Sequence, residues 1–228
     1  MTSRSAPRTG GAAARFLLYL GACWSVLLAL TWGLPAGAAL AVAGAALYTT
    51  LPLLAFVRWR GWPFYPERAF RVLVVRAVLY GQLVLPFVAG AGLLGLLVGA
   101  PFGAALAAGR VAAGAMLAVA AAILLAGYVG SRRLVVREVE ARVPGLPAAF
   151  DGLRIVQLSD LHVGPHTPRG FLRRVVRATA ALRPDLVAVT GDLVDDRPED
   201  VAPYAAALGA LAAPLGVFVI PGNHDVYA

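Results

Sequence analysis

The chain has 228 residues, 60% of them hydrophobic and 14% charged, and its mean hydropathy of +0.76 is too high for an ordinary soluble domain. Residues 1–137 carry 12 arginines against one acid, a balance of +11, whereas residues 138–228 carry 8 arginines against 11 acids, a balance of −3. The positive charge therefore belongs to the apolar half. The basic pI does not indicate nucleic-acid binding, and we expect none.

The apolar half contains four uncharged segments, each long enough to cross a hydrocarbon core of about 30 Å as a helix. We therefore predict a membrane region over residues 1–130. Its four transmembrane helices are predicted at about residues 16–32, 38–57, 77–99 and 111–130.

The first predicted span has a competing interpretation. Ala36-Gly37-Ala38 follows a basic tail and an apolar run, as the cleavage site of a signal peptide does. We favour a retained span, because the run is longer than a typical signal-peptide core and a second span follows at once.

In the third predicted span, Gly95 and Gly99 form a Gly-x-x-x-Gly pair. We attribute that pair to chance in so glycine-rich a chain.

Arginine placement predicts the orientation in the membrane. Arginines are concentrated in the amino-terminal tail, in the loop between the second and third spans, and directly after the fourth span (Arg4, Arg8, Arg15; Arg58, Arg60, Arg68, Arg71, Arg76; Arg132, Arg133, Arg137). The positive-inside rule then places both termini in the cytoplasm. No Asp, Glu or His lies within a predicted span, which argues against an ion-coupled transporter.

The second half has the pattern of an α/β domain. Residues 131–152 predict a linker with a half-exposed edge strand at Leu134–Val143. Strands are predicted at Leu153–Leu158, Leu186–Val189 and Val217–Ile220. A helix capped by Thr167 runs to about Leu182, and a second spans about 198–211. The order β-α-β-α-β predicts a layered α/β core within residues 153–228.

The first of these helices has one basic face. Its arginines (Arg169, Arg173, Arg174 and Arg177) lie opposite apolar residues. Two interpretations remain open: a solvated face, or a face attracted to anionic lipid.

Three short polar motifs each close one of the predicted strands. They are Asp160-Leu161-His162, Gly191-Asp192 and Gly222-Asn223-His224-Asp225. Functional groups collect beyond the carboxyl ends of strands in open α/β sheets, so we expect these motifs to converge.

The residue types suit a site for two divalent metals. We expect Asp160 and His162 to bind one metal, Asp192 to bridge both, and Asn223 to bind the second. His224 is predicted either to hydrogen-bond a phosphoryl oxygen or to protonate the leaving group, with Asp225 orienting its ring. Mixed carboxylate, amide and imidazole ligation favours Mn, Fe or Zn.

The motifs in context resemble the calcineurin-like metallophosphoesterase superfamily. The resemblance is carried by Leu158-Ser159-Asp160-Leu161-His162-Val163-Gly164, Thr190-Gly191-Asp192-Leu193-Val194-Asp195 and Pro221-Gly222-Asn223-His224-Asp225. The lead-in over residues 151–156 and the preceding spans are similar to its membrane-associated bacterial branch. The resemblance implies a multi-pass helical membrane region followed by part of an α/β/β/α sandwich, in a bacterial plasma membrane.

The resemblance also implies the same ligand set, with His224 near the phosphate. The family pattern continues with a Gly-His and a Gly-His-x-His motif, which this chain does not contain. We therefore expect the chain to be the N-terminal part of such an enzyme, from a truncated gene or an interrupted reading frame. We interpret His166 as a loop residue, and Asp195, Asp196, Glu199 and Asp200 as a solvated acidic loop.

Two functional hypotheses follow. The leading one is a membrane-anchored, metal-dependent phosphoesterase that hydrolyses a phosphomonoester or phosphodiester at the cytoplasmic face and is weakly active or inactive in this form. Proximity to the bilayer makes a lipid-linked substrate attractive. The alternative is a non-catalytic membrane protein that carries a pseudoenzyme remnant.

Overall fold

A computed structural model describes residues 10–59, 64–65 and 67–228. The chain divides into two compact units, Met1–Gly127 and Tyr128–Ala228. Arg4, Arg8 and Arg60, which contribute to the predicted orientation, lie outside the described residues.

The first unit is helical. Its helices are α1 (Gly10–Ala29), α2 (Ala36–Trp59), α3 (Arg68–Phe70), α4 (Arg76–Gly99) and α5 (Ala105–Gly130). A π-helical turn at Arg71–Val75 joins α3 to α4, and a 3₁₀ turn at Ala100–Phe102 follows α4.

Three helical stretches of the described chain are long and apolar enough to cross a membrane: Ala36–Phe56, Arg68–Phe102 and Ala105–Gly130. They correspond to the second, third and fourth predicted spans, although the third begins earlier than residue 77. The apolar stretch of α1 is shorter, at Ala14–Ala29. It ends before residue 32 because the chain turns there and Gly33 adopts a left-handed φ of 74°. A total of four spans therefore stays a prediction.

Gly95 and Gly99 lie where α4 packs against the start of α5. A Cβ added at Gly95 would lie 2.5 Å from the carbonyl oxygen of Ala108, and one at Gly99 would lie 2.7 Å from that of Ala104. No side chain fits at either position, so the two backbones approach directly. The attribution of this glycine pair to chance is therefore wrong.

Arg110, a residue of α5, donates hydrogen bonds to the backbone carbonyls that follow the end of α1. Its Nε donates to the carbonyl of Leu30 at 2.8 Å, and its Nη2 donates to the carbonyl of Trp32. The last carbonyls of a helix have no partner within the helix, and a guanidinium supplies several donors at once. Arg110 thus ties these two helices together.

The second unit contains a three-stranded parallel sheet of order β1-β2-β3, which confirms the predicted β-α-β-α-β pattern. Its elements are β1 (Ile155–Leu158), α6 (Arg169–Ala181), β2 (Leu186–Thr190), α7 (Ala205–Leu208), β3 (Val217–Ile220) and α8 (Asn223–Tyr227). The pairing places Leu158 beside Val189 and Val189 beside Val219, so all three strands end at the same edge.

The core beneath this edge is formed by Val163, Leu172 and Tyr204, which are almost fully buried. Tyr204 also ties loops together, because its hydroxyl lies 3.1 Å from the carbonyl of Gly164 and 2.5 Å from that of Thr167. The segment between β1 and α6 is therefore fixed by packing and by hydrogen bonds.

Three sequence predictions in this unit are wrong. Leu134–Val143 forms no strand, because no described segment pairs with it and a lone strand leaves its backbone groups without partners. The predicted helix over 198–211 is broken into two 3₁₀ turns and the short α7, since Pro203 lacks the N–H that a helix interior needs. Pro168, not Thr167, is the N-cap of α6, and the Thr167 hydroxyl donates to the His162 carbonyl at 2.6 Å.

Candidate metal centre

The loops that follow β1 and β2 run side by side beyond the sheet. The N–H groups of Asp160 and His162 donate to the carbonyls of Gly191 and Asp192, at 3.2 and 2.9 Å. Val163 continues the pattern by donating to Leu193 at 2.7 Å. These bonds extend strand-like pairing into the two motifs and keep their side chains close together.

Asp160 and His162 both adopt left-handed backbone conformations, with φ of 54° and 39°. The simple alternation of an extended strand therefore does not explain how they meet. The turn itself brings them together, and His162 Nε2 lies 3.9 Å from Asp160 Oδ1. Ser159 lies beside Asp160, with its Oγ 2.5 Å from Asp160 Oδ2, a contact that sequence reasoning missed.

Asp192 is the most enclosed carboxylate of the cluster, with 15% of its side chain exposed. Its Oδ1 accepts a hydrogen bond from the backbone N–H of His224 at 3.0 Å, and its Oδ2 lies 4.0 Å from His162 Nε2. The bond to His224 holds the first turn of α8, which begins at the exposed Asn223, beside Asp192.

Ligand atoms of Asp160, His162 and Asp192 lie within 4.8 Å of one another. Three of the four predicted metal ligands thus form one group at the carboxyl edge of the sheet. Asn223 begins α8 next to this group.

A second group joins His162 to two further residues, Asp195 and His224, again with ligand atoms within 4.8 Å. The two imidazole rings meet edge to face, with centroids 4.6 Å apart. Asp195 was interpreted as part of a solvated loop; its side chain is 32% exposed, and it also faces the His162 ring. Asp195 does not directly follow a predicted strand. The only feature of the sequence that could have indicated its role is its position three residues after Asp192.

His162, which belongs to both groups, has the surroundings expected of a cation ligand. His162 Nδ1 is buried, has no hydrogen-bond partner in the described chain, and faces Asp195 Oδ1 at 3.7 Å. Carboxylate oxygens and imidazole nitrogens that converge without hydrogen bonds between them offer the donors that a divalent transition metal takes. The residues present therefore fit a metal.

His224 is held by the acidic loop. Its Nδ1 lies 2.6 Å from the carbonyl oxygen of Asp195. That hydrogen bond is the main reason that the pKa of His224 is raised above its usual value, against an opposing effect of burial. The carboxylates of Asp192, Asp195 and Asp196 raise this pKa further.

Asp225 bonds to the backbone and not to the His224 ring. Its two oxygens accept hydrogen bonds from the N–H groups of Gly222 and Val194, both at 2.8 Å. Burial raises the pKa of the Asp225 carboxyl, but these backbone bonds outweigh burial and hold that pKa below its usual value. The partner of the His224 ring, predicted to be Asp225, is the Asp195 carbonyl.

Two glycines allow the second and third motifs to touch. Gly191 has a left-handed φ of 97°, and a Cβ added there would lie 2.9 Å from the Cα of Gly222. A Cβ added at Gly222 would lie 2.5 Å from the backbone nitrogen of Asp192. Both positions require the absence of a side chain.

Comparison with known proteins confirms the predicted resemblance. Residues 153–228 match the family model described as calcineurin-like phosphoesterase. A zebrafish (Danio rerio) transmembrane protein with metallophosphoesterase domain is 41% identical over 90 residues, which cover 40% of this chain and 21% of the relative. A UDP-2,3-diacylglucosamine pyrophosphatase, LpxG, of Chlamydia trachomatis is 45% identical over 82 residues, which cover 34% of this chain and 24% of the relative.

The chain therefore spans only about a fifth to a quarter of the length of these curated relatives. No solved structure matches it. The part of the chain that carries the three motifs is therefore similar to calcineurin-like phosphoesterases, and it follows helices that are long and apolar enough to cross a membrane.

Proposed function

We propose that this chain is a membrane-anchored, metal-dependent phosphoesterase that acts on a phosphomonoester or phosphodiester. The observation that carries the proposal is the convergence of Asp160, His162 and Asp192, with ligand atoms within 4.8 Å, at the edge where three parallel strands end. The family match over residues 153–228 supports the same chemistry.

In this proposal Asp160 and His162 would hold one divalent metal, Asp192 would be shared between it and a second, and Asn223 would help to hold the second. Mn, Fe or Zn fits these ligands best. Two such metals, when bound, activate water and neutralise the charge on the attacked phosphate. Asp195 joins the site as a residue that holds His224 through its carbonyl and faces His162 through its carboxylate.

His224 is proposed to contact the phosphate. Its Nδ1 faces the Asp195 carbonyl, so Nδ1 carries a hydrogen and Nε2 is the nitrogen left for substrate. When the ring is protonated, Nε2 donates a hydrogen bond to a phosphoryl oxygen or a proton to the leaving group.

A lipid-linked phosphoester is the proposed substrate class. Two relatives are named as pyrophosphatases of UDP-2,3-diacylglucosamine, a name that specifies a nucleotide sugar with two acyl groups. The apolar helices of this chain would keep its site near such molecules. We further propose that the protein lies in a bacterial plasma membrane, with its second unit in the cytoplasm. A reporter fused after Gly130 that is active only outside the cytoplasm would contradict this orientation.

The function is tested on the full chain purified in detergent. We expect Mn²⁺ to be retained and a generic aryl phosphodiester to be hydrolysed slowly and only with metal. Replacement of His224 by Gln should abolish the hydrolysis and leave Mn²⁺ bound. If the chain retains no metal and does not hydrolyse the phosphodiester, the alternative of a non-catalytic membrane protein is favoured.

A further inference from the structure

The second unit contains a basic cavity apart from the three motifs. The cavity has a volume of about 400 Å³. Its wall includes Arg132, Arg133 and Arg174, together with the apolar side chains of Val129 and Phe171. None of the lining residues is acidic, so three guanidinium charges share one small space without a carboxylate among them.

Two of the three arginines, Arg132 and Arg174, are held in place by other groups of the same unit. Arg174 Nη2 donates to the backbone carbonyl of Arg132 at 3.0 Å, which joins α6 to the segment after α5. The Arg132 guanidinium lies 3.7 Å from the centre of the Tyr128 ring, and that of Arg174 lies 5.6 Å from the centre of the Phe171 ring. Guanidinium groups ordered in this way lose less conformational freedom when they bind an anion.

The cavity is also adjacent in sequence to a membrane span. α5 ends at Gly130, and Arg132 and Arg133 follow directly. Tyr128, near the end of that helix, is a residue type enriched at the membrane–water interface. Basic pockets beside the ends of transmembrane helices are known binding sites for anionic lipid headgroups.

We propose that Arg132, Arg133 and Arg174 bind the phosphate of an anionic phospholipid headgroup, with Val129 and Phe171 against its apolar part. Arginine suits this role because its planar donors match phosphate oxygens in pairs. The site would hold the second unit at the bilayer surface. It does not depend on the proposed hydrolysis.

The cavity distinguishes two groups of arginines on α6. Arg174 belongs to the cavity, whereas Arg173 and Arg177 line a different groove beside Tyr204 and Ala207. All three are exposed residues of one helix. Arg173 and Arg177 therefore provide a control with the same change of charge on the same element.

The test is native mass spectrometry of the full chain in neutral detergent, titrated with phosphatidylglycerol or phosphatidylcholine. Detergent removes the surface potential of a bilayer, so retained lipid reports a defined site. We expect one phosphatidylglycerol to bind and phosphatidylcholine not to bind. Each arginine is expected to contribute about 1 kcal/mol, which is a little over fivefold in affinity. Because the two factors multiply, the double variant Arg133→Gln/Arg174→Gln should weaken phosphatidylglycerol binding about thirtyfold.

The control variant Arg173→Gln/Arg177→Gln should bind phosphatidylglycerol as the unmodified chain does. Arg133→Gln alone, which leaves the bond between Arg174 and Arg132 intact, should weaken binding several-fold. Equal losses in the control and cavity variants, or undiminished binding in Arg133→Gln, would overturn the proposal. Displacement of the lipid by millimolar inorganic phosphate would assign the cavity to a soluble phosphate instead.

Discussion

Asp192 connects the three motifs because its two carboxylate oxygens face different neighbours. One oxygen accepts the backbone N–H of His224, and the other faces the His162 ring at 4.0 Å. Its side chain is only 15% exposed, so little water competes for these oxygens. A bridging role is therefore chemically reasonable at this position.

Replacement of Asp192 by Asn should keep the bond to His224 and remove the negative charge. Loss of a residue that only hydrogen-bonds to a metal ligand weakens metal binding about 10–100-fold. Loss of the Asp192 carboxylate, a direct ligand, should weaken Mn²⁺ binding by at least as much. Elemental analysis of the purified full chain measures the bound metal. Asp196→Asn is the matched control in the same loop, and equal metal content in the two variants would contradict the bridging role.

Asp225 is expected to act on stability. In Asp225→Asn one acceptor oxygen is replaced by an NH₂ group, which must face the N–H of Gly222 or Val194. Losing a hydrogen bond to a charged acceptor costs on the order of 2 kcal/mol.

Hydrogen exchange measures this loss. We expect residues 190–195 and 221–227 of the full chain to exchange about thirtyfold faster in the Asp225 variant. The exposed Glu140→Gln is the control. Unchanged protection in both segments would show that the carboxylate does not brace them.

The individual site residues differ in how far sequence could predict them. Asp160, His162 and Asp192 each follow a strand in an open parallel sheet, and that placement alone indicates convergence. Asp195 could not be found in this way, because its position depends on a loop that bends back to pair with Val163, whose carbonyl accepts the Asp195 N–H at 3.2 Å. The Asp225 bonds likewise depend on the fold of two loops.

At the scale of elements, the approach of the β2 and β3 ends depends on Gly191. Gly191→Ala forces a Cβ to within 2.9 Å of Gly222 Cα at a φ of 97°. We expect Asp192 to shift, metal affinity to fall, and stability to drop by about 1–3 kcal/mol.

A titration with Mn²⁺ and a thermal melt measure these effects. Gly145→Ala is the control, because Gly145 has a similar φ of 78° but open space around it. If both variants bind Mn²⁺ equally well, the close contact does not position the site.

The contact between α4 and α5 makes a second prediction at this scale. Gly95→Leu places a side chain against the Ala108 carbonyl and should separate the two helices, lowering the melting temperature of the chain in detergent. Gly90→Leu is the control on the same helix, since nothing lies within 4 Å of a Cβ there. Equal melting temperatures for the two variants would contradict the packing.

The elements that sequence predicted best are those with an unambiguous period. Val217–Ile220 is a strand with the predicted bounds, and Leu186–Thr190 differs by one residue. Leu134–Val143 has the alternation of a strand but no described partner, and pairing is not visible in a local pattern. The segment from Pro198 has helical composition, yet its internal proline limits it to short turns.

At the scale of the whole molecule, composition predicts two kinds of unit, and the structure has a helical unit followed by an α/β unit. Many large apolar side chains of α2, α4 and α5 are exposed, among them Leu40, Leu83 and Ile123, as lipid-facing side chains are. In β3, Phe218, Val219 and Ile220 are also more than half exposed. β3 is an edge strand of the described sheet, so these side chains leave an apolar edge uncovered.

The central claim is that the imidazole of His162 and the surrounding carboxylates hold a divalent metal. Pulsed electron paramagnetic resonance of the Mn²⁺-loaded full chain tests this claim most directly, because it detects a nitrogen bound to the metal. We predict an imidazole ¹⁴N coupling that disappears in His162→Gln and persists in His166→Gln. The absence of any nitrogen coupling in the unmodified chain, or its persistence in His162→Gln, would contradict the account.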